Sequence, residues 1–253
     1  RLLAGAGDDL PDPVAEWLAA QALRSVRPSP DEVLVETFPR SGRHYLVVYA
    51  FEGRLAHQTL GMLLTRRLHR SGAGPLGFVA NDYAVAVWCA RPLGVKIADG
   101  ALALADLFAE DMLGDDLEAW LAESNLMKRT FRTCAVIAGL IERRHPGRRK
   151  TGRQMTASSD LIYDVLMRHD PRHVLLETAW ADASTGLLDI TRLGDFLGRA
   201  KDRIRHVALD CPSPLSVPIL LEIGREMVHG ASADEFLSEA ADELIADAFA
   251  LEH

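Results

Sequence analysis

The chain has 253 residues, 48% of them hydrophobic, and its 28 lysines and arginines against 36 aspartates and glutamates give a formal net charge of -8. This length and apolar content predict a globular chain with a hydrophobic core, in one large domain or two small ones, and exclude a disordered tail. The acidic balance by itself argues against a nucleic-acid role. No run approaches the roughly 20 apolar residues that a membrane span needs, so we expect a soluble, cytoplasmic protein with no membrane partner.

The cysteines and the chain ends add two further expectations. Cys89, Cys134 and Cys211 are far apart and odd in number, which predicts buried, reduced thiols and no disulfide framework or close-spaced metal site. The chain begins at Arg1 and ends in a Leu-Glu-His sequence typical of an affinity tag. We therefore assign residues 250–253 to a tag and interpret residues 1–249 as one domain of a longer protein, with a candidate internal boundary near residues 94–100.

The first half of the chain alternates helical and strand patterns. Residues 14–23 follow a Pro-Asp-Pro start signal and predict a helix. Two runs rich in β-branched and aromatic residues, 33–38 and 44–51, flank the turn at 39–43 and predict a hairpin with a basic tip formed by Arg40 and Arg43. A helix over 53–71, a strand pair over 76–80 and 84–88, and an acidic helical stretch over 99–123 follow.

The second half is predominantly helical. A helix from Asn125 to about Arg144 is predicted to end at the Pro146-Gly147 stop, and a turn follows over 147–153. Further helices are predicted over 159–168, 171–183, 191–200, 216–228 and 234–248, with one strand at 207–209. The fold class predicted is α+β, mostly helical with a small mixed or antiparallel sheet of about five strands, because steady βαβ alternation is absent.

The glycines of residues 72–77 match the dinucleotide fingerprint G-x-G-x-x-G in the wrong context. That fingerprint needs a strand before the glycines and a helix after them, whereas here a helix precedes and a strand follows. Pro75 also lacks the N–H that would approach a phosphate. We interpret the segment as a helix-to-strand connector and expect no cofactor in this chain.

One segment of the chain is strongly basic although the net charge of the whole chain is negative. Residues 128–153 carry nine cations against the single anion Glu142, so this basic segment is +8 and the remaining residues sum to -16. On a helical wheel Lys128, Arg129, Arg132 and Arg143 share one face, and the apolar residues between 127 and 141 share another. The cations of the basic segment are Lys128, Arg129, Arg132, Arg143, Arg144, Arg148, Arg149, Lys150 and Arg153.

This segregation of charge favours contact with phosphates. The competing interpretation is that the same cations pair with the acidic helices of the same chain, which would leave a balanced surface of little consequence. Four aromatic residues, Tyr45, Tyr83, Trp88 and Trp180, are available to stack on bases, although large aromatics more often bury area in a core.

Five stretches together resemble the C-terminal portion of ligase-associated DEXH-box helicases, bacterial members of the Lhr (large helicase-related) family, over essentially all of residues 1–249. They are 36–45 (ETFPRSGRHY), 51–61 (FEGRLAHQTLG), 127–132 (MKRTFR), 143–148 (RRHPGR) and 160–166 (DLIYDVL).

The resemblance implies a domain that follows two RecA-like motor domains and a winged helix in an ATP-dependent 3′-to-5′ helicase linked to DNA repair. ATP and Mg²⁺ would bind the absent motor domains, and this chain would have no catalytic residue, cofactor or metal of its own. The implied partners are single-stranded DNA, DNA or RNA–DNA duplexes, the protein's own motor and winged-helix domains, and a ligase or nuclease. The implied location is the bacterial cytoplasm, at the nucleoid.

The residues and the resemblance agree on one surface. We predict nucleic-acid contacts by the nine cations of the basic segment and by Arg40 and Arg43 at the hairpin tip. Two rival functions remain open at the level of sequence. One is a protein-interaction module that docks the motor domains or a repair partner, and the other is a stand-alone hydrolase using the region of Glu110 and Asp111.

Overall fold

A computed structural model describes residues 11–123, 125–141, 144–145, 148–149, 152–184, 188–227 and 244–249. The chain divides into two compact units: unit 1 comprises residues 1–110 and 192–253, and unit 2 comprises residues 111–191. The candidate boundary near residues 94–100 lies inside unit 1, where Gly94 packs closely on a strand; a Cβ at Gly94 would lie 3.2 Å from the Thr37 hydroxyl.

Unit 1 is built on a five-stranded sheet of mixed direction. The strands are β1 (Val33–Arg40), β2 (Arg43–Tyr49), β3 (Pro75–Ala80), β4 (Val85–Cys89) and β7 (Ile204–Ala208). Their order in the sheet is β3-β4-β2-β1-β7, with β1 and β7 parallel and the other neighbours antiparallel. The α+β class and the five strands are confirmed.

The β1–β2 hairpin forms at the predicted place because its turn has the residues that a tight turn requires. Ser41 and Gly42 both adopt positive φ, at 49° and 71°, which is the geometry of a two-residue hairpin loop matching the strand twist. Arg40 and Arg43 are directly paired across this loop. The hairpin tip is therefore basic, as the sequence predicts.

Helices cover both faces of the sheet. The helices of unit 1 are α1 (Asp12–Arg24), α2 (Arg54–Arg70), α3 (Leu93–Ala98), α4 (Leu104–Leu107), α9 (Ile190–Ala200, which begins in unit 2) and α10 (Val217–Met227), with a further helical segment over 244–249. On one face α2 approaches so closely that a Cβ at Gly61 would overlap the Phe78 ring. On the other face Ile219 and Ile223 of α10 and Leu244 join the core formed by alternate residues of β1, β2 and β3.

The apolar core beside α10 contains one buried carboxylate, that of Glu36 on β1. Its Oε1 accepts a hydrogen bond from Gln21 Nε2 at 3.0 Å, and its Oε2 accepts from Tyr49 at 2.8 Å and from Ser213 Oγ at 2.5 Å. Burial, with the neighbouring Glu36 charge, raises the pKa of Tyr49 well above its usual value, so its hydroxyl remains a donor. Gln21 completes the network, because its Oε1 accepts from the Leu215 N–H.

The glycine-rich segment 72–77 is a connector, as predicted. Gly72 and Gly74 adopt positive φ between the end of α2 and the start of β3. His57 of α2 is buried, and its neutral form is fixed by two bonds: Nδ1 donates to the Asn81 carbonyl at 2.6 Å and Nε2 accepts from the Glu52 N–H at 3.1 Å. Burial lowers the pKa of His57, which agrees with an ordinary core histidine.

Unit 2 is mainly helical. It contains α5 (Asp115–Glu123), α6 (Asn125–Ile137), α7 (Gly152–His169), α8 (Val174–Asp182) and a two-stranded hairpin of β5 (Arg144–His145) and β6 (Arg148–Arg149). A short 3-10 helix over Glu110–Leu113 lies at the boundary with unit 1. The acidic stretch predicted as helical over 99–123 is thus broken into shorter elements, and the predicted terminal helix is described only over 244–249.

We predict that Glu36→Leu destabilises unit 1 by about 3 kcal/mol, because it leaves Gln21, Tyr49 and Ser213 as buried donors without their acceptor, at about 1–3 kcal/mol for each orphaned group. Urea denaturation followed by circular dichroism measures the change. Glu16→Leu, at an exposed position of α1, is the matched control and should change the free energy of unfolding by less than about 0.5 kcal/mol. Equal stability of the Glu36→Leu variant and the wild type would contradict this role.

Candidate nucleic-acid interface

The predicted cations fall on several elements. Lys128, Arg129 and Arg132 lie on α6, Arg144, Arg148 and Arg149 lie in the β5–β6 hairpin, and Arg153 lies in the first turn of α7. Arg143 and Lys150 lie outside the described residues. Arg40 and Arg43 belong to unit 1, whereas the basic segment belongs to unit 2.

Helix α6 buries one face and exposes cations on another, as its periodicity predicts. Phe131 is fully buried and packs edge-on against Tyr163 of α7, with ring centroids 5.4 Å apart. Met127 and Cys134 are buried on the same face, and α6 packs against both α7 and α8. The buried face fixes the rotation of the helix, and therefore fixes which way Lys128, Arg129 and Arg132 face.

The predicted C-terminal extent of α6 was wrong. The helix ends at Ile137 and does not continue to Arg144. Gly139 follows with φ at +73°, and the N–H of Leu140 returns to the Ala135 carbonyl at 2.9 Å, a pattern that closes a helix C-terminus. Ala138 is exposed rather than packed, and Arg143 lies beyond the helix, so the wheel that placed Arg143 beside Lys128 does not apply.

Two of the three α6 cations are held in ion pairs with α7. Lys128 Nζ lies 2.8 Å from Asp164 Oδ1 and 5.8 Å from the centroid of the Tyr163 ring. Arg132 Nη2 lies 2.9 Å from Asp160 Oδ1, and its Nε donates to Ser159 Oγ at 2.7 Å. One helical turn separates the two cations on α6, and one turn separates the two aspartates on α7, so the helices carry a matched ladder of charges.

The ladder shifts the pKa of Lys128, and burial shifts that of the neighbouring Tyr163. The hydrogen bond to Asp164 raises the pKa of Lys128. Burial raises the pKa of Tyr163, although the Lys128 charge acts in the opposite direction. Both groups therefore keep their protons near neutral pH.

Arg129 differs from its two neighbours. It lies on an exposed part of α6 and forms no ion pair with any residue that the structure describes. In unit 1, Arg40 Nε lies 3.5 Å from Asp247 Oδ2, and Arg43 is half-buried with no ion pair to a described residue. Arg129 is thus the exposed α6 cation that has no acidic partner in the described part of the chain.

Sequence reasoning missed the partners of Lys128 and Arg132. It expected any pairing to involve the acidic helices of the chain, over 99–123 and 234–248, whereas the partners are Asp160 and Asp164 of α7. The available signal was the shared spacing of four residues in both pairs, which places the charges on one face of each helix. The antiparallel contact of α6 with α7 that joins them is tertiary, and no local pattern specifies it.

The other candidate chemistries gain no support within the described residues. Across those ranges no group of three or more His, Cys, Asp or Glu side chains is placed to hold a metal ion. Cys89 and Cys134 are buried free thiols and Cys211 is a half-buried one, and burial raises the pKa of Cys89 to about 12. No helix of the described chain is long and apolar enough to cross a membrane.

Comparison with known proteins identifies the family. The model of the DEAD/H associated family matches residues 27–216, which span most of the chain and parts of both units. The chain belongs to the DEAD/H associated family. No curated protein matches it significantly.

A solved structure shares the fold of this DEAD/H associated chain. It is the Mycobacterium smegmatis helicase Lhr, bound to single-stranded DNA and AMP-PNP, with a TM-score of 0.60 and 24% sequence identity. The match covers 82% of this chain and 26% of the helicase chain. The DEAD/H associated chain therefore spans about a quarter of the length of that helicase.

We predict a modest coupling within the charge ladder. A double-mutant cycle of Arg132→Ala and Asp160→Ala, measured by urea denaturation, should give a coupling free energy of unfolding of about 0.5–1 kcal/mol. The value is small because both side chains are partly exposed, at 25% and 33%. In 1 M NaCl, where the Debye length is about 3 Å, the coupling should shrink. The matched cycle of Arg129→Ala and Asp160→Ala should give a smaller value, and equal couplings in the two cycles would contradict the ladder.

Proposed function

We propose that this chain is the accessory domain of an ATP-dependent 3′-to-5′ helicase and holds single-stranded DNA against the motor through its basic segment. The observation that carries the proposal is the concentration of nine cations against one anion in residues 128–153 of a DEAD/H associated chain. The remaining residues sum to -16, so they repel a phosphate chain that the basic segment attracts.

Arg129 is the natural first contact. It is exposed and has no acidic partner in the described part of the chain, so a phosphate can approach it without breaking an ion pair. The hairpin of β5 and β6 adds Arg144, Arg148 and Arg149 within about twenty residues of it in sequence. Contacts of this kind bind the backbone of nucleic acid without reading its sequence.

Lys128 and Arg132 bind phosphate by exchanging an ion pair with an aspartate for one with the phosphate. Each must leave an aspartate of α7 to bind a phosphate, and a partly exposed ion pair of this kind is worth only about 0–1 kcal/mol. A charge-assisted bond to phosphate can therefore replace it. In the unbound domain the ladder holds both side chains against α7.

The activity of the whole protein belongs to parts outside this chain. The M. smegmatis helicase with the same fold is about three times as long, and its structure contains single-stranded DNA and a nucleotide analogue. By analogy, ATP and Mg²⁺ bind motor domains that this chain lacks, and this chain alone hydrolyses no ATP. Duplex unwinding, a role in DNA repair and a cytoplasmic location belong to the same proposal.

We predict that the triple charge reversal Arg129→Glu, Arg144→Glu and Arg148→Glu weakens binding to oligothymidylate and to mixed-sequence single strands by similar factors. Each lost phosphate contact should also reduce the slope of log K against log salt by about 0.7. Fluorescence anisotropy at several salt concentrations measures both effects, in the isolated chain and in the full-length helicase.

The matched control reverses three exposed arginines outside the basic segment, Arg54, Arg172 and Arg203, with the same change in net charge. It should keep most of the affinity and the full salt slope. If both triple variants lose affinity and slope equally, only net charge matters and the proposed interface is wrong.

A further inference from the structure

Unit 2 contains an apolar pocket that the proposed DNA contacts do not use. It lies among α5, α6, α7 and α8 and has a volume of about 490 Å³, within the range of roughly 300–1,000 Å³ that is typical of ligand sites. Its floor is formed by Leu121, Met127, Tyr163 and Leu176, which are all at most 8% exposed. The floor is therefore part of the core of unit 2.

The mouth of the pocket exposes two large apolar side chains. Trp180 of α8 is 37% exposed and Met167 of α7 is 47% exposed. An exposed tryptophan beside a preformed apolar cavity is the usual composition of a protein-binding hot spot, and methionine adapts its shape to different guests. The pocket thus has the features of a site that receives an apolar side chain.

The charges at the mouth are negative. Glu118 of α5 and Glu177 of α8 line the pocket and are exposed, and their carboxylates form no ion pair or hydrogen bond with the residues that the structure describes. Asp115 and Asp116 lie in the same helix as Glu118. Two unpaired carboxylates repel phosphates and attract cations, so the pocket is complementary to a ligand that is apolar at its centre and cationic around it.

We infer that this pocket binds a segment of another protein in which a large apolar side chain is flanked by lysine or arginine. The apolar side chain would fill the cavity against Trp180, and the flanking cations would pair with Glu118 and Glu177. The inference does not rest on the proposed DNA contact, because it uses different residues and a ligand of opposite charge.

Selection of a random dodecapeptide display library on the immobilised chain tests this inference. The expected result is enrichment of peptides with a Leu, Ile, Met, Phe or Trp flanked by Lys or Arg. The strongest synthetic peptide, measured by fluorescence anisotropy, should bind at least about tenfold more weakly to Glu118→Lys/Glu177→Lys and to Trp180→Ala. Glu118→Gln/Glu177→Gln should give a smaller loss in the same direction, and circular dichroism checks that each variant is folded.

The matched control is Asp115→Lys/Asp182→Lys, which makes the same change of charge on the same two helices outside the pocket lining. It should keep most of the affinity. Failure to enrich such peptides, enrichment of acidic peptides, or an equal loss in the control would each overturn the inference. So would displacement of the peptide by oligothymidylate together with weaker oligothymidylate binding by Trp180→Ala, because the pocket would then hold a base.

Discussion

The carboxylate of Glu36 is the constraint on which unit 1 depends, because it lies within the apolar face of the inner strand β1 and three neutral side chains satisfy it there. Gln21 links it to α1, Tyr49 to β2, and Ser213 to the turn before α10. A buried charge of this kind costs free energy unless every bond is made, so these elements can pack in only one register around it. The network thereby joins the sheet to α1 and to the segment that precedes α10.

In unit 2 the cations of the basic segment and the carboxylates of the pocket lie on different elements. Lys128 and Arg132 of α6 lie opposite the aspartates of α7, while the carboxylates of Glu118 and Glu177 line the apolar pocket without partners among the described residues. We propose that the first surface binds a polyanion and that the second binds a cationic, apolar segment. Together the two proposals give one small helical unit sites for two ligands of opposite charge.

The sequence predicted the features of this chain that local chemistry determines. The β1–β2 hairpin followed from β-branched runs around a Ser-Gly turn, and the buried face of α6 followed from the spacing of Met127, Phe131 and Cys134. The end of α6 was missed because Pro146-Gly147 appeared to be the stronger stop, whereas Gly139 closes the helix earlier. The ion-pair ladder, the Glu36 network and the Trp180 pocket join residues that are distant in the chain, so no local pattern specifies which residues meet.

The central claim is that single-stranded DNA follows the basic segment of unit 2. Photocross-linking tests it most directly: the full-length helicase is bound to an oligonucleotide carrying 4-thiothymidine at successive positions, and the linked peptides are identified by mass spectrometry. Within this chain, the account predicts that cross-links concentrate in residues 125–153 and disappear at high salt. Cross-links confined to unit 1, or absent from residues 125–153 while the DNA remains bound, would contradict it.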